Sequence, residues 1–276
     1  MTIGIAGLGL IGGSFARAIK KYTERTVLGV DKSPDTEAMA IEAGAIDGVL
    51  SDSLISTCDL IIVSLYPEQT VQWIKEKAEL IKPGTVVMDT CGIKRQVCQA
   101  LEPLAEEKHF TFIGGHPMAG RELSGFQASL ADLFVGASLI LTTQEPPEII
   151  TVLARKLGFG MVKCTTAEEH DRMIAFTSQL AHIVSGAYVK SPSSLEHRGY
   201  SAGSFKDLTR VAYLNENMWT ELFMDNRDNL SNEIEHIIQE LGKYKEALDC
   251  KDSVRLKELL KEGREMKERT NESGTR

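Results

Sequence analysis

The chain is poor in cysteine, and the five it has are badly arranged for cross-linking. Cys58, Cys91, Cys98, Cys164 and Cys250 are odd in number, scattered, and contain no CxxC pair. That excludes a disulfide framework and a cysteine-based zinc site, and predicts a reducing, cytoplasmic setting. An excess of positive charge is missing too: 31 Lys and Arg stand against 39 Asp and Glu, for a formal net charge of -8. With no basic stripe interleaved with aromatics, neither nucleic acid nor an anionic membrane is an expected partner. No apolar run is long enough for a bilayer span, and the apolar start lacks the basic residues of a secretory signal. No histidine and carboxylate cluster has ligand spacing such as HExxH, so no metal is expected. Internal repeats and low-complexity tracts are absent as well.

Glycine is present in quantity, and its placement at the N-terminus is informative. An apolar strand, Ile3 to Ala6, runs into Gly7-Leu8-Gly9-Leu10-Ile11-Gly12, then into the helical pattern Phe15, Ala16, Ala18, Ile19. A second strand, Val27 to Val30, ends in Asp31, nineteen residues after Gly12. A lone GxGxxG says little, but strand, glycines, helix, strand and terminal acid in this order make a dinucleotide-binding βαβ unit. Gly7 permits the tight turn, Gly9 lets the backbone approach a pyrophosphate, and Gly12 lets helix and strand pack closely. The helix N-terminus adds unpaired N–H groups and the positive end of its dipole. Asp31 would accept hydrogen bonds from a ribose 2'-OH and repel a 2'-phosphate, so the expected cofactor is NAD. Lys32 beside it reads as a solvated turn residue.

At 276 residues, with 42% hydrophobic and 25% charged residues, the chain fits two globular domains. Strand and helix patterns alternate up to about Thr166: strands near Val49 and at Leu60–Val63, Val86–Met88, Phe110–Ile113, Ser138–Leu141 and Met161–Cys164, with helices between them around Val71–Leu80 and Ile149–Leu157. Such alternation predicts an α/β fold, a mostly parallel sheet covered on both faces, in a Rossmann-type dinucleotide-binding domain over residues 1–166. From Ala167 strand signals nearly vanish. Helices are predicted over Ala167–Val189, Phe205–Ala212, Met218–Leu241 and Tyr244–Glu268, giving an all-helical C-terminal domain over residues 167–276. Its apolar positions, among them Ile183, Val184, Ile234, Ile237 and Ile238, exceed the needs of one small bundle, so a homodimer is expected to form through it. The charged tail after Lys261 is expected to fray.

Reactive sites in open α/β sheets lie beyond the carboxyl ends of the strands. Three such ends carry unusual residues: Ser64-Leu65-Tyr66-Pro67, Asp89-Thr90-Cys91-Gly92-Ile93-Lys94, and Gly114-Gly115-His116-Pro117-Met118-Ala119-Gly120-Arg121-Glu122. In the third, a histidine between a glycine pair and a proline, in a loop directly after a strand, is held where its ring can reach a ligand. Histidine titrates near neutral pH, which suits removal of a proton from an alcohol as hydride leaves.

The Gly114-to-Gly120 run, behind the dinucleotide fingerprint and ahead of a helical domain, closely resembles the prephenate/arogenate dehydrogenase family of tyrosine biosynthesis. The likeness extends to Glu169-His170-Asp171, to Ser178-Gln179-Leu180-Ala181-His182, and to Gly203-Ser204-Phe205-Lys206-Asp207-Leu208-Thr209-Arg210 with Met218-Trp219 beyond it. The resemblance implies NAD-dependent oxidative decarboxylation of prephenate to 4-hydroxyphenylpyruvate, driven by aromatisation. It implies that His116 takes the proton of the substrate's 4-hydroxyl, and that the nicotinamide lies near Gly92 and the loop carrying Ser64, Tyr66 and Pro67. Arg210 would clamp a substrate carboxylate with its planar fork, and Glu122 would orient that arginine. His182, Gly203 and Arg121 complete the expected substrate-binding set.

The chain departs from the family where Gly92 replaces a common serine, where Gln179 and Ala181 replace histidine and proline, and where Arg121 adds a cation. That cation, facing an anionic substrate, would favour prephenate over arogenate, whose side chain carries an ammonium. His170 and His182 are twelve residues apart on one predicted helix, a rotation of about 120°, so they are not expected to share a narrow face. His182 is then the ligand-lining one, with His170 left undecided between lining and packing. Asp171 and Lys206 read as structural, Trp219 as packing, and Cys91 as inert. The length leaves no room for a mutase or regulatory domain, so a monofunctional enzyme is expected. Two other readings compete: a 3-hydroxyacid or imine-reducing dehydrogenase of similar architecture, and an NAD-binding redox sensor without turnover. The first would place a catalytic lysine on the helical domain, and the second would need no positioned base.

Overall fold

The computed structural model describes residues 1–121 and 123–273. It divides into two compact units, Met1–Asn226 and Arg227–Arg276. The first begins with β1 (Thr2–Ala6), α1 (Leu10–Tyr22), β2 (Thr26–Val30), α2 (Pro34–Glu42), β3 (Gly48–Val49), α3 (Asp52–Ile55), β4 (Leu60–Val63), α4 (Pro67–Lys77), β5 (Val86–Asp89), α5 (Arg95–Lys108) and β6 (Thr111–Ile113). These six strands form one parallel sheet, in the order β3-β2-β1-β4-β5-β6. The direction of winding reverses between β1 and β4, which opens a crevice beyond their carboxyl ends.

Burial on both faces explains why β4 is an uninterrupted Leu-Ile-Ile-Val run. Ile3, Ile5, Leu60, Ile62 and Met88 pack to one side with Phe15 and Ile19 of α1. Ile61, Val63 and Val87 pack to the other, with Ile74 of α4 and Val97 and Leu101 of α5. This two-residue alternation is the strand period.

The later strands do not extend this sheet. β7 (Gly115–Pro117) and β8 (Ser138–Leu141) are antiparallel, and β9 (Met161–Cys164), reached through α6 (Glu148–Lys156), runs parallel to β8. His116 therefore sits on a strand, paired opposite Ile140, and not in the loop the sequence suggested. The glycine pair before it is steric in origin. A Cβ at Gly114 would stand 2.4 Å from the Thr142 hydroxyl, and one at Gly115 2.6 Å from the Asp89 carbonyl.

The predicted helix over 167–189 is observed as α7 (Ala167–Ile174) and α8 (Leu180–Val189), joined by a π turn over Ala175–Gln179. α9 (Gly203–Thr209) tightens into a 3-10 turn at Arg210–Ala212, and α10 (Glu216–Asp225) follows. The helix expected over Met218–Leu241 is interrupted at Asn226, whose buried amide donates to the Asp171 carbonyl and to Gln179 Oε1, both at 2.8 Å.

The second unit is a hairpin of α11 (Arg227–Asp249) and α12 (Ser253–Ser273). The break expected before Tyr244 falls instead at residues 250–252, where Lys251 adopts φ +53°. The Tyr244 hydroxyl spans this pair by donating to the Leu259 carbonyl at 3.1 Å. No helix among the described residues is long and apolar enough to cross a membrane.

Candidate active site

The glycine fingerprint forms the first part of the site. Gly7 has φ +86°, and a Cβ there would lie 2.4 Å from the Ser64 carbonyl, so no other residue fits the turn. A Cβ at Gly12 would lie 1.8 Å from the Gly7 carbonyl, whereas the space around Gly9 is open to 4 Å. The backbone is thus closed where helix meets strand and open where a pyrophosphate would approach. α1 has Gly9 at its N-cap, no capping side chain and no acidic residue in its first turn, so its positive end is uncompensated.

Asp31 faces this helix end and accepts from the backbone N–H of Leu8 at 2.8 Å and of Ser33 at 3.0 Å. Each bond occupies one lone pair on a different oxygen, and the carboxylate keeps further acceptor capacity. Beside it lies a cleft of about 500 Å³ lined by Gly7, Val30, Asp31, Lys32, Leu65 and Trp73. The fingerprint, the open approach at Gly9 and this acid-lined cleft fit a dinucleotide carrying a free ribose 2'-OH. Ser64, after β4, bonds the Thr90 hydroxyl at 3.1 Å, which ties two strand-end loops together. Tyr66 is exposed and caps α4, with Pro67 in its first turn.

His116 anchors the second part. Its Nδ1 lies 2.9 Å from His170 Nε2, and His170 Nδ1 lies 2.7 Å from Asp171 Oδ1. Asp171 in turn accepts from the backbone N–H of Lys94 and Arg95, at 2.7 and 2.9 Å. These are first-turn donors of α5, which has no capping side chain of its own. The carboxylate thus satisfies orphan amides and complements the helix dipole from outside the helix. Asp89 accepts from the N–H of Cys91 at 2.8 Å and of Gly115 at 3.1 Å, and it pairs with the Lys94 ammonium, both side chains being fully buried. His116 is partly exposed, and its imidazole is held well below its ordinary titration range. Desolvation is the main cause, followed by the positive charge His170 and Lys94 can present.

The third part lies further along the long helix. His182 Nδ1 donates to the Val211 carbonyl at 2.8 Å, joining α8 to the turn that carries Arg210. Burial lowers its titration, the Val211 carbonyl opposes that, and the Arg210 charge adds to it. Trp219 packs against His182 with ring centroids 4.0 Å apart, the packing role expected of it. The π turn changes the expected relation between His170 and His182. It holds one residue more than an α turn, so twelve residues wind as eleven and the ~120° offset shrinks to ~20°. Both histidines therefore project toward the same side.

Two family profiles match the chain. "Prephenate dehydrogenase, nucleotide-binding domain" covers residues 15–157, and "Prephenate dehydrogenase, dimerization domain" covers residues 166–262. A prephenate dehydrogenase from Bacillus subtilis (strain 168) is 30% identical over 97% of this chain and 75% of its own. A cyclohexadienyl dehydrogenase from Zymomonas mobilis is 31% identical over 94% of this chain and 92% of its own. The chain belongs to the prephenate dehydrogenase family. Within that family, the crystal structure of the enzyme from A. aeolicus, in complex with hydroxyphenyl propionate and NAD+, superposes with a TM-score of 0.82, at 27% identity over 98% of both chains.

Arg121 is exposed and donates to the Ala128 carbonyl at 3.0 Å, within its own loop. Gly203 is exposed at the start of α9. Glu122 lies outside the described residues. Gly92 is partly buried, and a Cβ there would meet only Leu222, at 3.6 Å. Cys91 is buried and burial pushes its thiol up, so it carries no reactive thiolate. Gln179, where the family has a histidine, is buried and donates to the Leu222 carbonyl at 2.9 Å while accepting from Asn226. It is part of the frame. Asp89 and Lys94 lie in a strand-end run that the sequence marks without giving either a role, and Asn226 was not singled out because its partners, Asp171 and Gln179, lie on another segment.

Proposed function

We propose that this protein is an NAD-dependent prephenate dehydrogenase, converting prephenate to 4-hydroxyphenylpyruvate and carbon dioxide. The observation that carries this reading is the contact of His116, on β7, with His170 through Nδ1, which leaves Nε2 for a ligand on a ring that desolvation holds below its ordinary titration range. Bound NAD would supply the hydride acceptor. Gly7, Gly9 and Gly12 would admit its pyrophosphate to the amides of α1, with Leu8, Leu10 and Ile11 completing that wall, and Asp31 would hold the ribose. Ser64, Tyr66, Pro67 and Gly92 would border the nicotinamide.

His116 Nε2 would accept the 4-hydroxyl proton as the ring hydrogen departs from the same carbon. The ring carboxylate then leaves as carbon dioxide, its bonding pair completing the aromatic ring. Arg210 would clamp a carboxylate, and His182, tied to the same turn, would line that end. Arg121 is engaged with the Ala128 carbonyl of its own loop, so the preference for prephenate is supported by the relatives named prephenate dehydrogenase more than by Arg121.

The division of labour we infer runs between residues 1–166 and 167–276, close to where the two family profiles abut. Homodimerisation is supported by the dimerization-domain match and by the exposed Ile238, Leu241, Leu248 and Leu260 of the hairpin. A cytoplasmic location agrees with five free cysteines.

Steady-state assays with prephenate and arogenate, each with NAD and NADP, test the reading. Prephenate with NAD should give the highest kcat/KM. A preference for arogenate would overturn the substrate, and absence of turnover with either would favour a sensor. Asp31→Ser should narrow the NAD over NADP preference by about tenfold, through lost bonds to the ribose and relieved repulsion of the 2'-phosphate.

A further inference from the structure

The hydrogen-bond chain behind His116 fixes the position of every proton in it. A carboxylate only accepts, so the hydrogen between Asp171 and His170, 2.7 Å apart, resides on His170 Nδ1. A neutral His170 then presents a lone pair at Nε2. The 2.9 Å contact with His116 therefore requires the hydrogen on His116 Nδ1. One nitrogen remains, His116 Nε2, and it must carry a lone pair. The opposite tautomer, with hydrogen on Nε2, would place two lone pairs against each other.

We propose that His170 and Asp171 are positioning residues for the reaction, holding His116 as the Nδ1–H tautomer and giving the substrate's proton a second resting place on His170. The inference rests on reading His116 as the base. The proton of the 4-hydroxyl moves to His116 Nε2, and the hydrogen on His116 Nδ1 moves to His170 Nε2. His170 keeps its Nδ1 hydrogen on Asp171 and becomes the imidazolium, beside the one carboxylate that faces it. As the ring carboxylate leaves and the 4-oxygen becomes a phenolate, the same two moves run in reverse and return the proton to that oxygen, so the product departs as 4-hydroxyphenylpyruvate with no net proton released.

The surroundings support this relay. His170 and Asp171 are buried, whereas His116, bonded to His170, is partly exposed. The charged groups packed around the rings are Asp171 on α7, Lys94 and Arg95 at the start of α5, and Asp89 at the end of β5. Lys94 is neutralised by Asp89, and Arg95 Nε lies 3.5 Å from Asp171 Oδ2. Asp171 therefore faces one cation, two backbone N–H donors and one ring, all of which favour it as an acceptor. Desolvation, to which the Lys94 charge adds a smaller share, disfavours a resting imidazolium on either ring, so the pair waits empty of the extra proton.

The test uses His170→Gln, whose Oε1 can still accept from His116 Nδ1 but cannot take up a proton, and His170→Asn, too short to reach it. Each is made in the full chain, alone and with His116→Asn. His170→Gln should lower kcat about 10- to 100-fold, within the range of general-base effects, and leave KM and the NAD dissociation constant within about twofold. His170→Asn should lose more. The acid limb of kcat/KM should move to lower pH in both, because an imidazolium on His116 no longer shares its proton with a ring on Asp171. Neither should cost anything further in the His116→Asn background, since the relay acts only through that ring.

A folded His170→Gln with unchanged kcat and unchanged acid limb would overturn the relay, as would an undiminished loss in the His116→Asn background. An active His116→Asn single variant would instead remove the base assignment itself. If His170 variants do not fold, 15N shifts of the wild-type imidazoles decide. His116 should show hydrogen on Nδ1 and none on Nε2, and the reverse pattern would overturn the proposal.

Discussion

The surroundings of His116 and those of Arg210 are built in opposite ways. His116 sits in the middle of the short strand β7, backed by four fully or nearly fully buried polar side chains, Asp89, Lys94, His170 and Asp171. Arg210 sits on a one-turn 3-10 segment after a seven-residue helix, and neither element contains a buried residue. The difference teaches where each task can be placed. A proton acceptor, as we propose His116 to be, must keep one tautomer and one position, which a closed, buried polar frame provides. A carboxylate clamp tolerates adjustment because a long, forked side chain reaches its partner from a looser support.

Four measurements would break or sharpen that contrast. The largest effect is expected at the rigid end: His116→Asn should reduce kcat about 100- to 10,000-fold while NAD binding, titrated directly, stays near wild type. Near-normal turnover would transfer the base to His182 and erase the contrast. Next, Lys94→Met leaves Asp89 buried without its counter-ion, and denaturant unfolding should show a loss of about 3–5 kcal/mol. A shift under about 1 kcal/mol would mean that water reaches the pair and the frame is not closed.

At the looser end, Arg210→Ala should raise KM about 10- to 100-fold, the worth of hydrogen bonds to a charged group, with stability nearly unchanged. Arg210→Lys should recover only part of this, and a fall in kcat at constant KM would put Arg210 in the chemistry instead. The smallest effect is on acid stability. His116, His170 and His182 are all held below the ordinary value of 6.5. Below that value the unfolded chain binds protons that the folded chain does not. Stability is therefore complete above about pH 6.5 and declines as pH falls toward the depressed values. Because His182 is half-buried and His116 and His170 are more desolvated, His170→Gln should flatten the decline more than His182→Gln.

Sequence reading went furthest where the decisive contacts are local. The βαβ unit was legible because its turn glycines, its helix and Asp31 lie within one short span, and the structure joins them directly through Leu8 and Asp31. His116 stood out by its neighbours, yet its strand did not, since three residues give no period to read. α5 left little trace because its cap is supplied by Asp171, 76 residues away. Asn226 was hidden inside an apolar periodicity that continues across it, and only its bonds to Asp171 and Gln179 show why the helix stops. The spacing of His170 and His182 points them apart only in a uniform α-helix, and no sequence motif announces the π turn between them.

The widened turn at 175–179 also bears on how the length of this chain can vary. Because it holds one residue more than a regular turn, removing one residue there would close the helix without turning α8 about its axis. Removing one within 180–189 would instead rotate the later part of that helix by about 100° relative to α7. A single-residue gap at this turn is therefore the length change the helix can absorb, and aligned sequences one residue shorter at that point would keep the same angular relation between His170 and His182.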